Sequence, residues 1–117
     1  GEAAYSAVER FLDSDQEQEA LWALAQMDFH KALPHVLRLM RQNAYLDVCL
    51  HILYERKKTR SLPFLLSELR RCKSARSPWF IDRLKRTLYS KAENYNPFTQ
   101  AEVKHILRTL DFKQDVS

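Results

Sequence analysis

The chain has 117 residues, enough for one domain and too few for two. Apolar residues make up 45% of it, the one Gly is Gly1, and only four Pro are present. A β-rich fold needs turn glycines, so composition excludes one and predicts an all-α domain. No apolar run approaches the ~20 residues of a membrane span, and no signal peptide is visible. The net charge of +4 is unevenly placed. Residues 1–28 carry seven acids and one base, whereas residues 31–91 carry fifteen bases and four acids, a net of +11.

In chain order, the first predicted helix carries Ala4, Ala7, Val8 and Phe11 at i, i+3, i+4 and i+7, the signature of one buried helical face. Ser14-Asp-Gln-Glu17 reads as a capping box for a second helix, Gln18–Met27. A third helix, opening "KALPHVLRLMRQ", repeats the first frame with Leu33, Val36, Leu37 and Met40, a shift of 29. The fourth, Asp47–Arg56, places Leu50 and Leu53 a further 29 residues beyond Leu21 and Leu24. The fifth, "RSLPFLLSELRR", repeats the frame again with Leu62, Leu65, Leu66 and Leu69. Pro34 and Pro63 fall near the starts of the third and fifth helices, where proline either opens a helix or bends it. Ser77 before Pro78 predicts the start of a longer sixth helix through Lys91. Thr99-Gln-Ala-Glu102 is a second capping box, with Phe98 and Val103 at the staple positions. It opens a seventh helix carrying Val103, Ile106, Leu107 and Leu110.

Four copies of one frame, three at a constant spacing, predict stacked helix pairs. The phrases "EALWALAQMDFHKALPHVLRLM" and "CLHILYERKKTRSLPFLLSEL" resemble short HEAT repeats of about thirty residues. The resemblance implies a right-handed α-α superhelix of about three and a half helix pairs, and a surface that holds another macromolecule. Residues 1–28 are expected to form an acidic N-terminal cap pair, 29–94 the basic repeats, and 95–117 a closing helix and tail. The Gly-Glu start reads as a domain excised from a longer protein.

Catalytic and metal chemistry find little material. His30, His35, His51 and His105 include no pair at i, i+4, and Cys49 and His51 point to different sides of a helix. No glycine loop exists to cradle phosphates, and the carboxylates sit mostly at helix starts, where they serve the dipole. The expectation is a non-enzyme with no catalytic residue, metal or cofactor, and no small-molecule substrate. Cys49 and Cys72 show no close pairing pattern, which predicts free thiols in a reducing compartment, cytoplasmic or nuclear. Cys49 reads as core. Cys72, within "RRCKSAR", reads as an ordinary turn cysteine, with basic neighbours able to activate it as the alternative.

The basic segments carry the functional expectation. "ERKKTR", with Lys57, Lys58 and Arg60, is read as the connection between the fourth and fifth helices. "RRCKSAR", with Arg70, Arg71, Lys73 and Arg76, joins the fifth and sixth. Such connections emerge at opposite edges of a helical stack and bracket a face. Between them Trp79, Arg83 and Arg86 share one side of the sixth helix, opposite Phe80, Leu84 and Leu88. Tyr54 and Lys57 occupy the matching places one repeat earlier. Tyr95, in the inserted "YNPF" loop, is a further candidate contact; Trp22 reads as packing. These residues predict a protein-interaction module whose basic surface binds an acidic segment of another protein, without membrane contact. The alternatives are the phosphate backbone of RNA or DNA, and a merely solvated basic face.

Overall fold

The computed structural model describes residues 2–12, 14–42, 44–72, 82, 86 and 97–110. Among them are six helices and no strand: α1 Glu2–Glu9, α2 Glu17–Met27, α3 Phe29–Arg41, α4 Leu46–Arg60, α5 Leu62–Arg71 and α6 Gln100–Thr109. The fold is all-helical, as composition requires. Among the described residues no helix is long and apolar enough to cross a membrane. The sixth helix expected at residues 78–91 lies outside the described residues apart from Asp82 and Arg86, both helical and exposed.

Two connections are a single residue long. Asp28 ends α2 and opens α3, its carboxylate accepting the Lys31 N–H at 3.2 Å. Ser61 does the same between α4 and α5, with its hydroxyl accepting the Phe64 N–H at 3.4 Å and Pro63 in the first turn. So short a link returns the next helix antiparallel against the last. The charges confirm the register. Glu17 meets Arg38 across the Asp28 corner, and Arg56 meets Glu68 across the Ser61 corner. Each pair is nearly symmetric about its linking residue. Helix α2 also packs on α4, and α3 on α4, so the pairs share one core.

The core is the expected frame with one exception. Leu33, Val36, Leu37 and Met40 are buried, as are Leu65, Leu66 and Leu69, and Val103, Ile106, Leu107 and Leu110; Leu62 packs on their edge. Leu21 and Leu24 lie in the same core as Leu50 and Leu53. In the first helix, however, Ala4 and Ala7 are exposed and Phe11 is 47% exposed. Tyr5 and Leu12 are buried there instead, flanked by Val8. Helix α1 ends at Glu9, so Phe11 stands in the following turn and its helical phase does not apply. Burying Tyr5 in place of Ala4 removes more apolar surface from water. The shifted phase also brings Glu9 to 3.0 Å from His35 on α3.

Two other local expectations are corrected. Ser14 does not cap α2: the helix starts at Glu17 with Gln16 as its cap, and the Ser14 hydroxyl closes a turn by accepting the Gln16 N–H at 3.1 Å. "ERKKTR" is not a connection but the last part of α4, which runs on to Arg60. Its residues are good helix formers apart from Thr59, whose hydroxyl donates back to the Glu55 carbonyl at 3.0 Å. Lys57, Lys58 and Arg60 place cations at the negative end of the helix dipole. Pro34 lies inside α3, where its missing N–H leaves the His30 carbonyl without its helical donor. The Phe98 and Thr99 reading holds. Thr99 and Glu102 form a reciprocal capping box, and Phe98 is buried with Val103 in the core.

With no glycine available inside the chain, Ser61 takes φ 110° and ψ 154°, a conformation that is nearly glycine's alone and costs a side-chain-bearing residue about 1–3 kcal/mol. Gly at a helix start forfeits only a few tenths of a kcal/mol relative to Ser, and its greater freedom when unfolded costs about 0.5–1 kcal/mol. Ser61→Gly is therefore expected to raise unfolding free energy by about 1 kcal/mol in a urea titration. A loss of stability would show that the Ser61 cap outweighs the strain.

Candidate functional site

Helix α4 organises the surface because two opposite faces of it are used. At 3.6 residues per turn, Tyr54 and Lys57 fall roughly 180° from Ile52, Glu55, Arg56 and Thr59. The first face meets α6. The Tyr54 ring meets Phe98 edge-on, with centroids 5.9 Å apart and planes at 89°. Lys57 Nζ lies 3.0 Å from Glu102 Oε2 and 4.4 Å from the Tyr54 ring centroid. At the other end of α6, Arg70 Nη1 on α5 donates to the Thr109 carbonyl. Tyr54, Lys57 and Arg70 thus hold α6 at both ends. Lys57 and Arg70, one from each basic segment, are engaged with α6, and the face expected between the segments at Trp79, Arg83 and Arg86 lies outside the described residues apart from Arg86.

The remaining described candidates are differently placed. Lys58, Arg60, Arg71 and Arg86 are exposed. Arg71 Nη2 donates to the Ser67 hydroxyl at 2.9 Å. Lys73, Arg76, Trp79, Arg83 and Tyr95 lie outside the described residues.

The opposite face of α4 lines an open groove of about 410 Å³ against α2. Phe29 and Ile52 form its buried floor, half-buried Trp22 and Ala25 with Gln26 form the α2 wall, and Glu55, Arg56 and Thr59 form the α4 wall. Arg56 is held rigidly there. Its Nε donates to Glu68 Oε1 at 2.9 Å and its Nη2 to Glu68 Oε2 at 3.3 Å. Its guanidinium lies 4.7 Å from the Phe29 ring centroid and 5.5 Å from that of Phe64. Glu68 is 2% exposed, and His30 Nε2 stands 3.7 Å from its Oε2. Phe64, beside this cluster, is 40% exposed. A second groove, of about 540 Å³, runs between α5 and α6 past Pro63, Ser67, Arg71 and His105.

The sequence assigned no role to Glu68 or Arg56, and gave Trp22 to packing. A signal for Arg56 was present: it shares the apolar stripe of Cys49, Ile52 and Leu53, where a charge requires a buried partner. Cys49 and Cys72 are both free. Cys49 is buried, and burial first, then the charge of Asp47, pushes its thiol up to about 12, so it stays protonated and inert. Among the described residues no group of three or more His, Cys, Asp or Glu gathers as metal ligands would.

The Glu102 carboxyl is held below its ordinary 4.5, chiefly by the hydrogen bond from the Thr99 backbone and then by Lys57. Its folded pKa is depressed, so its stabilising contribution is fully present above that ordinary value. The contribution is lost as pH falls through the lowered folded pKa. Glu102→Gln is expected to reduce stability at neutral pH and to flatten the acid side of the stability curve. Urea midpoints of both proteins across that range check this, and parallel curves would contradict it.

No family model, curated protein or solved structure matches this chain, so geometry and sequence alone carry its functional reading.

Proposed function

We propose that the chain is a protein-interaction module of HEAT-like stacked helix pairs, and that its basic side binds an acidic segment of a partner protein. The observation that carries this reading is the distribution of charge after internal pairing. Glu17, Glu68 and Glu102 are each matched to a cation on another helix, and Glu9 to the His35 ring. On the basic body Lys58, Arg60, Arg71 and Arg86 are exposed beside exposed Asp47, Glu55 and Asp82, and residues 31–91 keep a net charge of +11. Such a surplus raises encounter rates with anionic partners. The stacked arrangement is supported by corners of one residue at Asp28 and Ser61, and by the packing of α2 on α4 with Leu21 and Leu24 placed 29 residues before Leu50 and Leu53. The free thiols fit a reducing compartment, cytoplasm or nucleus.

Lys58→Glu with Arg60→Glu tests the reading, since both side chains are exposed and neither belongs to the core. A labelled Glu-rich peptide with a central Leu-Phe pair, and a single-stranded RNA of equal length, serve as probes. The peptide is expected to bind, and the double reversal to weaken it about tenfold or more while the helical fold is kept, with only the modest fall in thermal midpoint that acids at a helix C-terminus bring. Binding of RNA alone, falling steeply between ~50 and ~200 mM salt, would replace the protein partner with a phosphate backbone.

A further inference from the structure

Helices α5 and α6 carry two acids between them, and both are engaged inside the fold: Glu68 with Arg56 and Glu102 with Lys57. What these helices show to solvent is therefore of one sign, with Arg71, Lys104 and Arg108 exposed beside His105. Arg70, near the end of α5, reaches the Thr109 carbonyl at the end of α6, so the two helices end together and leave a groove of about 540 Å³ between them. Arg70, Arg71 and His105 line that groove, and none of its described lining residues is acidic. Pro63 and Leu66 supply its apolar part. The α2/α4 groove differs, since its Arg56 is neutralised by Glu68 and Glu55 stands on the same wall. Arg71 instead donates to the Ser67 hydroxyl at 2.9 Å, an uncharged partner that holds the guanidinium without neutralising it. An Arg held in advance loses less rotamer freedom when an anion arrives.

From these features we propose that the α5/α6 groove is the seat of the acidic partner segment, which sets a side-chain carboxylate at Arg71 and His105 and lays an apolar side chain against Pro63 and Leu66. This rests on the interaction-module reading above. Charge selects an anion, because every ionisable side chain that lines the groove is basic. The rest of the lining selects a peptide. No aromatic ring is among it, so a nucleic-acid base has no face to stack on, whereas Pro63 and Leu66 offer an apolar side chain a surface. A guanidinium also presents parallel donors that match the two oxygens of a carboxylate. Clusters of Arg are a recurrent means of reading acidic peptide motifs.

The probe is the same Glu-rich peptide with its central Leu-Phe pair, compared with a version carrying Ser-Ser there. The Leu-Phe peptide is expected to bind about tenfold more tightly than the Ser-Ser peptide. It is also expected to shift the amide resonances of Ser67, Arg71 and His105 more than those of Trp22 and Ile52 in the other groove. Ser67→Glu puts a carboxylate in the groove four residues before Arg71, the spacing at which the two pair along one helix. It therefore occupies Arg71 without weakening α5, and is expected to lower peptide affinity about tenfold or more with the thermal midpoint kept. Ser67→Gln, of the same size but uncharged, is expected to stay within about threefold of the parent. Arg71→Gln with His105→Gln is expected to weaken binding about tenfold. Equal losses in Ser67→Glu and Ser67→Gln would overturn the proposal, because bulk rather than charge would be acting. So would concentration-dependent dimerisation that Ser67→Glu abolishes, since a second copy would then be the occupant. If Lys58→Glu with Arg60→Glu weakens the peptide while Ser67→Glu and Arg71→Gln with His105→Gln do not, the groove is wrong and the acidic-partner reading survives. If RNA binds and neither peptide does, both fall.

Discussion

A carboxylate buried to 2% exposure cannot stay charged without a partner, and Glu68 has one that fits it on two sides. An isolated buried charge costs several kcal/mol, and only a planar fork meets both carboxylate oxygens in parallel. Arg56 supplies that fork, and the rings of Phe29 and Phe64 flank it. Three elements are joined at this point: the start of α3, the end of α4 and the body of α5. The pair also sets the rotation of α4. With Arg56 turned toward Glu68, Tyr54 and Lys57 must face the other way, and there α6 docks through Phe98 and Glu102. One ion pair thus decides which side of α4 is covered and which stays open.

The same logic recurs at smaller scale. Acids of the N-terminal helices reach side chains of α3, Glu9 the His35 ring and Glu17 the Arg38 guanidinium. Part of the charge asymmetry in the sequence is therefore structural. Opposite charges face each other across packed helices, and only the remainder is available to a partner. These pairs are only partly buried, and their clearest effect is on the register of the packed helices.

What the sequence showed well was periodicity. The frames at Leu33 and Leu62 are core because aliphatics at i, i+3, i+4 and i+7 have no other way to leave water. It misled at Ala4 and Phe11, where a matching pattern crossed a helix end and their neighbours Tyr5 and Leu12 took the core instead. It misled again at "ERKKTR", because a dense charge run looks like a solvated link even when every residue can continue a helix. Among the candidate binding residues, Lys57 and Arg70 were legible as basic, but their engagement inside the fold was not. Their partners, Glu102 and the Thr109 carbonyl, lie 45 and 39 residues away, beyond any local pattern. The α2/α4 groove was invisible for the same reason, since Trp22 and Ile52 become neighbours only when α2 packs on α4.

The central claim is that Arg56 and Glu68 act as one unit that orients α4. A double-mutant cycle with Arg56→Leu and Glu68→Leu, read by urea unfolding, tests it most directly. Arg56→Leu alone leaves a buried carboxylate unpaired and is expected to cost about 3–5 kcal/mol. The double variant, which removes both charges into an apolar site, is expected to lose clearly less than Arg56→Leu does. Losses that simply add, or a single variant as stable as the parent, would contradict the claim.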